Sequence, residues 1–157
     1  MNWLKSSWQK LAVYIPVAVT VGIFLTQRSA ELRWKRTEFL FAQAQYLDSD
    51  PDMKRIVAVL EERVAALSVT DLLADPSPLR QSTRKEYLAE LDKFLNFFDR
   101  LYFAVYSAKT LDIEELSVFG WYLDLIQQDE NLVKYCKEKG FADVLTLAAD
   151  VTKRRTP

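Results

Sequence analysis

Asp48, Asp50 and Asp52 are the first residues in the chain whose type and spacing could do chemistry. Carboxylates at the first, third and fifth positions open an EF-hand loop, whose oxygens wrap a calcium ion. Such a loop also needs glycine at its sixth position for a sharp turn and a bidentate glutamate at its twelfth. Those positions hold Met53 and Val59. The aspartates read instead as helix punctuation, with Asp50 as N-cap, Pro51 at the first helical position and acidic charge suiting a helix N-terminus. Asp71, Asp75, Asp124, Asp129 and Glu130 follow no ligand spacing and read as solvated helix termini.

Nucleophilic chemistry has one candidate, Cys136, between Tyr135 and Lys137. A reactive cysteine needs a base and a lowered pKa. The chain has no histidine to act as that base, so Cys136 reads as packing. A lone cysteine also rules out an intrachain disulfide and a thiolate zinc site, and fits a reducing compartment. No phosphate-binding glycine loop, dinucleotide fingerprint or serine elbow is present. A helical RNase that uses an arginine–histidine motif is closed by the same lack of histidine. No catalytic residue, metal ligand or cofactor is therefore expected. Asn96-Phe97-Phe98-Asp99-Arg100 leaves two readings open. It is either an exposed polar strip of ordinary helix neighbours or a groove near Tyr102 and Tyr106.

The elements that must position these residues are helical. The 157 residues hold three glycines and five prolines, which suits long helices better than a turn-rich β fold. The net charge of −1 makes the phosphate backbone of nucleic acid a poor partner. Residues 11–26, LAVYIPVAVTVGIFLT, predict a transmembrane helix, short for the roughly 20 residues a span needs unless Trp8, Gln9 and Lys10 enter the interface. Trp3, Trp8 and Tyr14 supply interfacial rings. A cleaved signal peptide is disfavoured because Arg28-Ser29-Ala30 would put Arg at the −3 position. Lys5 and Lys10 precede the span, while Arg28, Arg33, Lys35 and Arg36 follow it, which favours a cytoplasmic domain. Within it, Pro16 is a tolerated kink, and Ala18 and Gly22 form a small-xxx-small pair that would let two helices approach.

The predicted organisation is an all-α chain: an anchor with flanks over 1–30, a bundle of about five helices over 31–152, and a basic tail over 153–157. A juxtamembrane helix over 31–47 carries Leu32, Trp34, Phe39, Leu40, Phe41 and Leu47, which leave little purely polar surface, and is expected to pack against the rest of the domain; Trp34, Phe39 and Phe41 are more apolar than one face requires. The next helix runs from Pro51 to about Leu67, with Ile56, Leu60, Val64 and Leu67 on one face. A loop over 74–78 precedes a helix opened by a capping box, Thr83 with Glu86. That helix carries the strongest periodic signal, Leu88, Leu91, Leu95, Phe98, Tyr102 and Val105. Asp112 with Glu115 opens another helix, to about Gln128, and one over 130–139 stops at Gly140. A last helix spans about 142–151.

Three stretches together resemble a broad family of uncharacterised bacterial membrane-anchored helical proteins, catalogued as a domain of unknown function. They are residues 31–40 (ELRWKRTEFL), Asp48-Ser49-Asp50-Pro51-Asp52-Met53 leading into Val59-Leu60-Glu61, and residues 91–99 (LDKFLNFFD). The resemblance implies architecture and an inner-membrane setting, and transfers no catalytic residue. The expected function is a membrane-tethered interaction or scaffold module, not an enzyme. Its expected partners are the lipid bilayer and either a second copy or another protein, met through Ala18, Gly22, Trp34, Phe39 and Phe41. The alternative is a small oligomeric membrane effector, such as a pore component of a stress or phage-defence system.

Overall fold

The computed structural model describes the backbone of residues 2–62 and 67–155, with side chains from Ile23 onward. Every regular element among the described residues is helical, so the chain is all-α. The order is α1 (Asn2–Ser49), α2 (Pro51–Leu60), α3 (Val69–Leu73), α4 (Gln81–Tyr102), a π-helical stretch (Phe103–Ser107), a 3-10 helix (Ile113–Phe119), α5 (Gly120–Gln128), α6 (Glu130–Lys139) and α7 (Ala142–Arg155). These fall into two compact units, Met1–Phe39 and Leu40–Pro157.

The first unit is helix throughout its described length. From Ile23 to Phe39 every described side chain is exposed except the half-buried Arg36. One ion pair, Lys35 Nζ to Glu31 Oε1 at 2.7 Å, runs along its surface at i,i+4 spacing. Among the described residues no helix is long and apolar enough to cross a membrane. The expectation of a single-pass inner-membrane protein with a cytoplasmic domain is corrected accordingly. Beyond Gln27, α1 carries Arg28, Glu31, Arg33, Lys35, Arg36 and Glu38, and a charge at a bilayer centre costs about 2.5–3.5 kcal/mol. Most of the 11–26 stretch on which the expectation stood, Ala18 and Gly22 included, lies outside the described side chains.

The second unit is built around α4. Of the periodic stripe read from sequence, Leu91, Leu95 and Phe98 are fully buried, while Leu88, Tyr102 and Val105 are only partly buried and Val105 lies beyond the end of α4; Phe94 and Leu101 complete the buried face. Phe97 extends the buried face sideways and meets Phe98 and Phe119 edge-to-face at 5.1 and 5.7 Å between centroids. Leu116, Leu123, Ile126, Val144 and Leu147 from the later elements complete this core.

Local chemistry explains most of the boundaries. Asp50 is extended, and its Oδ1 accepts from the Asp52 and Met53 amides at 3.0 and 3.1 Å, as its N-cap assignment requires. Asp112 and Glu115 form the expected capping box, but what they open is a 3-10 helix that passes into α5. Gly140 closes α6 at φ 88°, a left-handed conformation that glycine adopts without a Cβ clash.

Three expectations need correction, and one helix, α3, was not expected. The helix after Pro51 stops at Leu60, and Glu62 turns to φ 56°. Val64 lies outside the described residues, and Leu67 is buried in the connection beyond them. The short α3 carries its own capping box, Ser68 with Asp71. α4 starts at Gln81 behind an uncapped Arg80, so Thr83 and Glu86 make no box; Glu86 instead accepts from Arg55 at 2.6 Å. Finally, α7 runs on through Lys153, Arg154 and Arg155, because Asp124 accepts from Thr152 at 2.8 Å and from Arg155 at 2.7 Å.

Candidate functional site

Most of the aspartates singled out from sequence are bonded within the fold. Lys93 donates to both oxygens of Asp50, each at 2.9 Å, and to Asp52 at 2.8 Å. These bonds raise the Lys93 pKa, and its ammonium holds the Asp50 carboxyl below the usual range. Asp48 accepts from the Tyr122 hydroxyl at 3.0 Å. The alternating aspartates are thus tied to a lysine, a phenol and backbone amides. Asp71 completes the capping box of Ser68 by accepting from its amide, Asp129 caps α6, and Asp124 holds the end of α7. Among the described residues no group of three or more His, Cys, Asp or Glu could hold a metal ion.

One turn before Lys93, Glu90 is 6 % exposed. Arg55 approaches its Oε1 at 3.1 Å, while Oε2 is buried with no hydrogen-bond partner. Burial outweighs the Arg55 charge and raises the Glu90 pKa. The neighbouring carboxylates of Asp52 and Glu86 push the same way.

The stretch Asn96-Phe97-Phe98-Asp99-Arg100 splits between two environments. Phe97 and Phe98 enter the core, while Asn96 and Arg100 are exposed. Asn96 Nδ2 bonds back to the Asp92 carbonyl at 2.7 Å, ordinary helix-surface behaviour. Tyr102 and Tyr106 lie ring beside ring, tilted, at 4.6 Å between centroids, and their hydrogen-bond partners Asp143 and Asp150 come from α7. Asn96 and Arg100 do line an open cleft of about 420 Å³ with Gln43, Tyr46 and Lys93. With Lys93 neutralised by two aspartates, Arg100 is its remaining unpaired cation among the described residues.

Sequence reading missed a set of tyrosine–aspartate bonds that pin the helices of this unit. Tyr106 donates to Asp150, Tyr122 to Asp48, and Tyr135 to Asp92 at 2.7 Å. Burial and the facing carboxylate push the Tyr106 and Tyr122 phenols up to about 12, and Tyr135 higher still. Each phenol is thereby held as a neutral donor to its carboxylate. Arg84 likewise closes α3, donating to the Leu72 and Ala74 carbonyls at 3.1 and 2.9 Å. No local spacing signals these contacts, because the tyrosine bonds join residues 43 to 74 positions apart. Cys136 is fully buried, and burial pushes its thiol up to about 12, so it packs and stays protonated.

The apolar residues of α1 are the opposite case. Trp34 is 70 % exposed and Phe41 77 % exposed, the highest values among the exposed large hydrophobics, and Phe39 is exposed beside them. Ile23, Phe24, Leu25 and Leu32 are exposed as well. The structure therefore places three of the expected interaction residues in solvent; the other two, Ala18 and Gly22, are outside the described side chains.

Comparisons with protein families, with curated proteins and with solved structures find no match.

Proposed function

We propose that this chain is a helical interaction module that works through the exposed apolar residues of α1 and has no catalytic activity of its own. One observation carries the reading. Of the eleven exposed large hydrophobics among the described residues, eight lie on α1: Ile23, Phe24, Leu25, Leu32, Trp34, Phe39, Phe41 and Tyr46. Covering a large apolar side chain is worth about 1.5–3 kcal/mol, so a run of them in water is a standing drive toward association. Aromatic residues at the centre of such a patch are the usual anchors of a protein interface. The polar groups elsewhere support the reading from the other side, since Asp48, Asp50, Asp92, Tyr122 and Tyr135 are bonded to one another or to Lys93 and Cys136 is buried.

A photo-crosslinking residue placed at Trp34 or Phe41 in the native host tests this. Adducts are expected from both positions and not from Thr146, an exposed control on α7. Equal yields at all three positions, or none at Trp34 and Phe41, would remove the proposal.

A further inference from the structure

We infer that the cleft between the C-terminal end of α1 and the middle of α4 binds a small aromatic monocarboxylate, with Arg100 as the anchor of its carboxylate. The inference is independent of the reading of α1 as an interaction surface, and every residue lining the cleft lies within the unit Leu40–Pro157.

Helix periodicity assembles the cleft. Lys93, Asn96, Phe97 and Arg100 are three, four and seven positions apart along α4 and so share one face, while Gln43 and Tyr46 are three apart on α1. Between the two rows lies an open space of about 420 Å³, ordinary for a small-molecule site. Its floor is apolar, with Met53 and Phe97 buried beneath it. The Tyr46 ring stacks on Phe97 at 6.2 Å between centroids, with 27° between their planes. A flat ring entering the cleft therefore finds an aromatic surface to lie against.

The polar groups around this floor are of two kinds. Lys93 is spent, since it donates to Asp50 and Asp52 within 2.9 Å and stands 6.0 Å over the Tyr46 ring. Arg100 is exposed and makes no ion pair among the described residues. The Gln43 amide and the Tyr46 hydroxyl carry no hydrogen bond among the described residues either. Asn96 gives its amide nitrogen to the Asp92 carbonyl at 2.7 Å, which leaves its oxygen as an open acceptor. A guanidinium with nothing to hold, beside an open amide and hydroxyl, suits the paired oxygens of a carboxylate.

Charge narrows the ligand further. Lys93 with Asp50 and Asp52 is one positive charge against two negative ones, and Arg100 brings that balance to zero. A monoanion meets the Arg100 cation and one excess negative charge. A dianion such as a phosphate ester meets the same single cation with twice the repulsion. A cationic ligand would find the aspartates already held by Lys93, and by backbone amides at Asp50. An aliphatic acid as short as acetate would leave the aromatic floor uncovered.

Titration of the full-length chain with 4-hydroxybenzoate, followed by NMR shifts and calorimetry, tests the inference. Saturable shifts are expected at Gln43, Tyr46, Asn96, Phe97 and Arg100. The neutral 4-hydroxybenzamide should bind about tenfold more weakly, because it loses a charge-assisted contact. Phenyl phosphate and acetate should also bind more weakly than 4-hydroxybenzoate. Arg100→Gln should cost about tenfold in affinity, whereas Lys85→Gln, which removes an exposed cation elsewhere on α4, should leave it unchanged. No saturable shift at the cleft, equal binding of acid and amide, tighter binding of the phosphate ester, or equal effects of the two substitutions would each overturn the inference. The comparison of acid with amide uses the wild-type chain, so it decides the matter whatever Arg100→Gln does to stability.

Discussion

α1 and α4 are both rich in aromatic residues, yet they spend them in opposite ways. Along α4, Phe94, Phe97 and Phe98 sit within 6 % exposure or less, and their rings meet edge-to-face. Along α1, Trp34, Phe39 and Phe41 stand in solvent. Composition does not separate the two helices. What separates them is whether other elements arrive to cover the apolar stripe: α2 and α7 pack on α4, whereas Trp34 and Phe39 belong to the separate unit Met1–Phe39, and Phe41, in the same unit as α4, stays 77 % exposed. Aromatic content alone therefore does not distinguish a core from an interface.

The largest expected difference between the helices is in stability. Phe98→Ala should destabilise the fold by about 3–5 kcal/mol, since the ring is fully buried and its loss leaves a cavity. Urea or thermal unfolding measures this directly. A loss below about 1 kcal/mol would mean that the α4 aromatics are not core, and the contrast with α1 would collapse.

A second test concerns the charge that α4 buries. Glu90 has a raised folded-state pKa, so the folded chain holds its proton more tightly than the unfolded one. Its contribution to stability is most favourable below the unfolded carboxyl pKa and is lost as pH rises through the folded value. Glu90→Gln removes that titration. The stability of wild type relative to Glu90→Gln should therefore fall as pH is raised from acid toward neutral. Asp50, held low mainly by Lys93, works in the opposite sense and loses its contribution as pH falls, but it cancels because both proteins share it. A difference that stays flat with pH would show that Glu90 is hydrated rather than buried.

The smallest expected effect sharpens the comparison most. Phe41→Ser removes a ring that is 77 % exposed, and should change the unfolding free energy of the monomer by no more than about 0.5 kcal/mol. Unfolding at concentrations low enough to exclude association isolates this value. A loss comparable to that of Phe98→Ala would place Phe41 in the core and withdraw it from any interface.

Much of the helix plan was legible because helix ends are written in neighbouring residues. Asp50-Pro51, Asp112 with Glu115, and Gly140 each satisfy or release backbone groups within one turn, so each could be read without knowing the fold. The α4 stripe was legible for a related reason, since a helix repeats every 3.6 residues and Leu91, Leu95 and Phe98 share one face. Thr83 with Glu86 had the same local spelling but was overruled, because Arg55 on α2 claims Glu86. The end of α2 at Leu60 was not legible either, as the apolar period continues on paper through Val64 and Leu67.

The sequence by itself determined an all-helical chain, the residues at which several helices begin or stop, and a set of missing residue types that narrows its chemistry. These follow from interactions that reach only three or four positions along the backbone. The tertiary structure decided that the aspartates serve lysine, tyrosine and backbone, that Glu90 is buried with one oxygen unpartnered, and that the α1 aromatics face water while those of α4 do not. Each of those outcomes depends on partners that are distant in sequence and become neighbours only when the helices pack, or on the absence of any element to cover a face.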